Sequence, residues 1–185
     1  YGVDIAEKVV EHHLANGGMS RFEKFKLYHK EFLGIELDES EIMELARQFS
    51  ELVKIGVINA PEVKGSHQFL HDHKETLNMF VITGTPTEES REICKARGII
   101  DCFKGVYGST RKKDYWSSYI LNEFQLEQKE TIFVGDALAD YEAAVANNLT
   151  FYLRENADNI SLFESKKNIV RFNDFINFRN LIKQK

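Results

Sequence analysis

The chain has 185 residues, 43% of them hydrophobic, which is enough to bury the core of one domain or of one domain with a small insertion. Its formal charge is −5, with 24 basic residues scattered among 29 acidic ones, so it offers no electrostatic footprint for nucleic acid; the basic run Arg111-Lys112-Lys113 is short. No apolar run approaches the roughly 18 residues of a membrane span, and Cys94 and Cys102 have neither metal-ligand spacing nor the density of a disulfide framework, so the expectation is a protein of the reducing cytoplasm.

A short helix is predicted over residues 4–14. Ser20, with Glu23 three residues on, predicts a capped helix that carries Phe22, Phe25, Tyr28 and Phe32 on one face and stops at Gly34. Asp38 and Glu41 form a second capping pair, ahead of a helix with Ile42, Leu45, Ala46, Phe49, Leu52 and Val53 at helical spacing. After Pro61 and Gly65 the pattern changes to short β-type runs alternating with helices. Strands are predicted over 77–83, 103–108, 131–136 and 149–154, with helices over 86–97, 112–124 and 137–146. The polar stretch 155–168 reads as a surface loop and 172–184 as a last helix. The alternation predicts crossover connections and a doubly wound parallel α/β sheet. Two units follow: an α-helical module, residues 1–58, and an α/β module, residues 59–185.

Ligands of an open parallel sheet bind outside the carboxyl ends of its strands, so residues at those ends carry the functional reading. Thr83 ends the first predicted strand; Gly84 permits close backbone approach, and Pro86 opens a helix whose free N–H groups suit an anion. Thr85, with Glu88, is accounted for by helix capping. Lys112 and Lys113 precede the next helix, where an ammonium could neutralise a phosphate and a nearby carboxylate together; spacing does not choose between them. Asp136 ends the third strand and Asp140 follows one helical turn later. Capping explains one carboxylate, but a second on the same side adds repulsion unless a cation is present, and an open, oxygen-rich site suits magnesium.

Taken in order, the strand ending in Thr83, the lysine of "GSTRKK" and "GDALADYEAA" resemble motifs two, three and four of the haloacid dehalogenase superfamily, most of whose members are magnesium-dependent phosphatases. The resemblance covers most of the chain. It implies a Rossmann-like core with an α-helical cap. It places Thr83, Gly84 and Lys113 on the transferring phosphoryl group, with Thr110 standing where a proline is common. It makes Asp136 a Mg2+ ligand, with Asp140 a ligand or the partner of one. "HHLANGGMSRFEKF" resembles the cap of phosphoglycolate phosphatase-like members, which implies that Arg21, with Lys24, reads an anionic group of the substrate near the Gly-Gly turn. The superfamily's first motif, an Asp-x-Asp whose first carboxylate attacks phosphorus, has no match, because no two aspartates are separated by a single residue. That motif ends a strand in mid-sheet, so the expectation is that a strand and its connection, about 25 residues at usual element lengths, precede Tyr1. The implied activity is hydrolysis of a small phosphorylated metabolite through a phosphoaspartyl intermediate, with no nucleic-acid or membrane partner. The alternatives are a phosphomutase or phosphonate-cleaving reaction on the same scaffold, or a catalytically inactive binding module. Substrate identity and oligomeric state stay open.

Overall fold

Three helices open the chain in the computed structural model, which describes residues 1–17 and 19–183: α1 (Val3–Ala15), α2 (Arg21–Tyr28) and α3 (Glu39–Asn59). Gly18, second of the Gly-Gly pair, and Gln184, at the end of the predicted last helix, lie outside the described residues. α2 continues into a π-helical turn, His29–Leu33, which Gly34 ends at φ 68°, a left-handed conformation that costs glycine nothing. The Asp38 box forms as expected: Asp38 Oδ1 accepts from the Glu41 N–H and Glu41 Oε2 from the Asp38 N–H, each at 2.9 Å. Ser20 instead caps α2 through the Phe22 N–H, and Glu23 adds no reciprocal bond.

The predicted aromatic face of α2 does pack, with Phe25 against Phe49 and Tyr28 stacked on Phe32, but the buried stripe is wider and takes in two cations. Arg21, Lys24 and Tyr28 are buried, while Phe22 and Phe25 are only partly covered. The cause is a polar seam between modules. Arg21 donates twice to Glu89 (2.9 and 3.0 Å), Ser50 donates to the same carboxylate (2.6 Å), and Lys54 pairs with Glu92. Arg97 closes the seam by donating to the carbonyls of Val57, Ile58 and Ala60 (3.1, 2.8 and 2.9 Å), groups that a helix C-terminus otherwise leaves unpaired. Leu52, on the predicted apolar face of α3, is turned outward.

After α4 (Ser66–His73) come five strands: β1 (Phe80–Ile82), β2 (Gly105–Tyr107), β3 (Ile132–Gly135), β4 (Thr150–Arg154) and β5 (Ile169–Phe172). Helices α5 (Thr87–Ala96), α6 (Lys113–Glu123) and α7 (Leu138–Ala146) cross between the first four, and α8 (Phe178–Lys183) follows β5. All pairing is parallel, as βαβ connections require, with Val81 opposite Val106, Val134 opposite Tyr152, and Tyr152 opposite Val170. The strands form two ladders, β1–β2 and β3–β4–β5, and among the described residues β1 and β3 each keep one edge unpaired. The ladders are nonetheless joined by packing: Ile82 of β1 lies on a core of Phe133, Ala143, Ala144, Phe151, Leu153 and Phe163. Phe151, Leu153 and Phe163 are essentially inaccessible, each contributing about 1.5–3 kcal/mol through burial. On the other face Phe69, Tyr152, Phe172 and Phe178 form a second core. No helix of the described residues is long and apolar enough to cross a membrane.

Two predicted boundaries are corrected. Residues 155–168 are not simply a solvated loop, since Asn159 and Phe163 are buried. Ile169–Phe172 is a strand, so the last helix begins at Phe178 rather than at 172.

Candidate active site

A cavity of about 970 Å³ opens between the helical module and the carboxyl ends of the strands. Thr83, Gly84 and Lys113 line it from the α/β side, and Asn16, Phe22 and Leu27 from the helical side. The Thr83 N–H donates to the Tyr107 carbonyl (2.9 Å), one step beyond the β1–β2 ladder, and Thr83 Oγ1 accepts from the Thr85 N–H (3.2 Å), which curls the loop over the strand end. The expected Thr85–Glu88 capping pair does not form. Pro86 is the N-cap without a side-chain bond, and Glu88 pairs with Arg91, so the first turn of α5 is left without a side-chain cap.

Gly108 fixes the distance between the loops after β1 and β2. A Cβ there would stand 2.3 Å from the Thr87 nitrogen and 2.5 Å from the Thr85 oxygen, so a side chain would push the loops apart. The contact is secured by Gly108 N–H to Thr87 Oγ1 (3.0 Å), Ser109 N–H to the Thr85 carbonyl (3.0 Å) and Trp116 Nε1 to the Gly108 carbonyl (2.8 Å).

Lys113, first residue of α6, reaches across to the other ladder and places Nζ 2.5 Å from Asp140 Oδ1, in a largely buried pair. This distinguishes the two lysines: Lys112 is the exposed N-cap, whereas Lys113 enters the site. Asp140 Oδ2 accepts from the N–H groups of Asp136 (3.3 Å) and Ala137 (3.1 Å), the orphan donors at the start of α7. Gly135 makes room for this: its Cβ would lie 2.4 Å from that of Asp140. Both Asp140 oxygens are therefore engaged. Asp136 is different: it is solvent-accessible, and among the described residues no other side chain bonds its carboxylate. Partial burial, then the Asp140 charge, raise its carboxyl above the usual range, against the opposing pull of Lys113 and Arg154. Of the two aspartates, Asp136 is the one free to hold a cation, and Asp140 supports it. Among the described residues no group of three or more His, Cys, Asp or Glu gathers that could hold a metal unaided. Magnesium commonly takes one or two carboxylates and completes its shell with water and phosphate, so this donor set fits it.

Arg21 and Lys24 are not where the cap resemblance would put them. Neither lines the cavity. Arg21 is held by Glu89, with its guanidinium 4.9 Å from the Phe49 ring centroid, a two-toothed, stacked arrangement that a planar fork fills better than an open anion site. Lys24 Nζ lies 3.1 Å from His13 Nδ1. The cations on the cavity wall, besides Lys113, are Arg111 and Lys112. One contact beside the site had no sequence signal: Asn159 Nδ2 donates to the backbone carbonyls of Asp136 (3.0 Å) and Arg154 (2.9 Å). Its polar surroundings read as loop.

A family profile described as haloacid dehalogenase-like hydrolase matches residues 8–153. Among solved structures, a predicted phosphoglycolate phosphatase from Haemophilus somnus 129PT is similar, with 20% identity, a TM-score of 0.74, and coverage of 96% of this chain and 87% of that one. The HAD-hydrolase YfnB from Bacillus subtilis, whose structure is bound to magnesium, aligns at 15% identity and a TM-score of 0.68, over 99% of this chain and 84% of its own. A haloacid dehalogenase-like hydrolase from Streptococcus pneumoniae aligns at 18% identity and 0.64, over 91% and 78%. Among curated proteins none matches. At these identities the structural likenesses speak for the fold.

Proposed function

The chain belongs to the haloacid dehalogenase-like hydrolase family, and we propose that within it the protein is a magnesium-dependent phosphatase of a small phosphorylated metabolite, acting through a phosphoaspartyl intermediate. The observation that carries this reading is the meeting of a strand-end hydroxyl, Thr83, and a largely buried lysine, Lys113, at one cavity, with that lysine crossing to the other ladder to pair with Asp140, beside the solvent-accessible Asp136 carboxylate.

Each residue has a task on this reading. Thr83 Oγ1, which accepts from the Thr85 N–H, keeps its own hydrogen to donate to a phosphoryl oxygen, and the Gly84 amide at the opening of α5 joins it. Lys113 balances charge on the transferring group, and Asp140 holds its ammonium and the start of α7 in place. Asp136 would hold Mg2+, which when bound neutralises charge on the phosphoryl oxygens. The attacking carboxylate belongs on a strand upstream of Tyr1, lying between β1 and β3. What supports that position is that these two strands carry the motif residues at their ends and have edges unpaired among the described residues. Covalent transfer to that carboxylate, then to water, divides the hydrolysis into two in-line steps.

The cavity is closed on one side by Phe22 and Leu27, and about 970 Å³ suits a metabolite rather than a macromolecule. The test is phosphate release from a panel of small phosphate monoesters by the intact gene product, with Mg2+ and after chelation. Hydrolysis that stops on chelation is expected; no release from any ester, or release indifferent to chelation, would refute the reading.

A further inference from the structure

We propose that Asn159 is the positioning residue that aims the Asp136 carboxylate, an inference that rests on the metal-holding role given to Asp136 above. The β3–β4 ladder ends with Gly135 opposite Leu153, so the next carbonyls, those of Asp136 and Arg154, lie at the end of the pairing. Asn159 supplies both of its amide hydrogens there, at 3.0 and 2.9 Å, and bridges the two strand ends as a further backbone rung would.

The residue is committed to this place. Its side chain is buried, with the residue 4% exposed, and its Oδ1 accepts from the Asn156 N–H (2.9 Å). Asn156 Oδ1 in turn accepts from the N–H groups of Asp158 (2.9 Å) and Asn159 (3.1 Å). This reciprocal asparagine turn fixes the amide and decides which end faces the two carbonyls. On the opposite side of the same Cα, Asp140 Oδ2 holds the N–H groups of Asp136 and Ala137. Asp136 is therefore gripped by its N–H from α7 and by its C=O from the loop after β4. With the flanking peptide planes fixed, the Cα–Cβ direction is fixed, and χ1 is the freedom that remains. Neighbours that orient a metal-holding side chain typically change affinity 10- to 100-fold when lost.

Asn147 provides a matched control. It is likewise buried and its Nδ2 also donates to two carbonyls, Asp114 (3.0 Å) and Ala143 (2.9 Å), but it does not touch Asp136. Asn159→Ala and Asn147→Ala in the intact gene product should lose comparable thermal stability. The Asp136 χ1 rotamer, read without metal from three-bond NMR couplings, should be single in the wild type and in Asn147→Ala and averaged in Asn159→Ala. Mg2+ affinity by calorimetry should fall about tenfold or more in Asn159→Ala and within about twofold in Asn147→Ala. An unchanged Asp136 rotamer in Asn159→Ala, or equal effects of the two substitutions, would overturn the proposal. If Asn159→Ala does not fold, Asn159→Ser, whose hydroxyl can donate to one carbonyl at most, carries the same comparison. A wild type that binds no Mg2+ would sink the phosphatase reading, and the metal-free rotamer comparison would still decide the role of Asn159.

Discussion

Lys113 and Asp140 each make the other tolerable: a largely buried ammonium and a largely buried carboxylate 2.5 Å apart, with the carboxylate's second oxygen on two backbone N–H groups. Removing the ammonium leaves Asp140 uncompensated and, on the proposed function, deprives the phosphoryl oxygens of their cation. Lys113→Met is expected to lower kcat by roughly 10²- to 10³-fold, the scale of losing one transition-state donor; turnover near the wild-type rate would remove Lys113 from the mechanism. Among the described residues Lys24 pairs with no carboxylate; its ammonium meets only the His13 ring. Burial lowers its pKa below the ordinary lysine value, so the charged form that prevails near neutrality is the one that costs stability. A depressed folded pKa means stability is fully present above the unfolded value and is lost as pH falls through the folded one. Lys24→Met should accordingly raise the unfolding midpoint at neutral pH, with the gain shrinking as pH climbs toward the ordinary lysine range. Urea titrations followed by the fluorescence of Trp116, the only tryptophan, would check this, and a lowered neutral midpoint would contradict it. At this scale the sequence was readable where position and chemistry coincide: Thr83, Lys113 and Asp136 stand at strand ends or helix starts. Arg21 and Lys24 were legible as cap residues but not in direction, because sequence does not say which neighbour a long cation meets. Asn159 was hidden in a polar run, since its burial depends on strand ends distant in sequence.

Helices α2 and α3 meet α5 along a polar seam, and the α2 contact of that seam is the desolvated one. Arg21 and Glu89 are each 9% exposed, whereas Lys54 and Glu92 remain open to water. The outer pair should contribute little, on the order of 0–1 kcal/mol. Arg21→Ala, by contrast, strands the Glu89 carboxylate and should cost about 3–5 kcal/mol of unfolding free energy. The double substitution Arg21→Met with Glu89→Leu should recover most of that loss, because the charges disappear together; a double variant as unstable as the sum of the singles would contradict the assignment. Element types read well where the pattern is long. α3 shows its cap and its helical spacing from Ile42 to Val53 in the sequence, and the structure extends it to Asn59; the alternation of strand-like and helical runs from residue 77 gives the parallel sheet. β5 escaped because four residues, Ile169–Phe172, cannot establish a period of two, and the polar stretch before them reads as loop.

The arrangement of the whole molecule brings its two ladders together at one place, the cavity under the helical module. Thr83 follows β1, the loop after β2 leads to Lys113, and Asp136 follows β3, so on the proposed function the phosphoryl-binding and cation-binding groups come from different ladders, which the Lys113–Asp140 pair joins. A parallel strand between β1 and β3 would pair both open edges and bring a carboxylate to the same carboxyl-end surface as the other groups. Sequence reasoning reached this arrangement by resemblance, and the division into β1–β2 and β3–β4–β5 is an independent structural feature that fits it. On the proposed function, phosphate passes through an aspartate carried on that strand. The most direct measurement is borohydride reduction of the intact gene product during Mg2+-dependent turnover of a small phosphate ester, which converts an aspartyl phosphate to homoserine, followed by peptide mass spectrometry. A single reduced aspartate upstream of Tyr1, at the end of an apolar segment, is expected; a reduced aspartate within residues 1–185, or sustained turnover with none, would refute the covalent route.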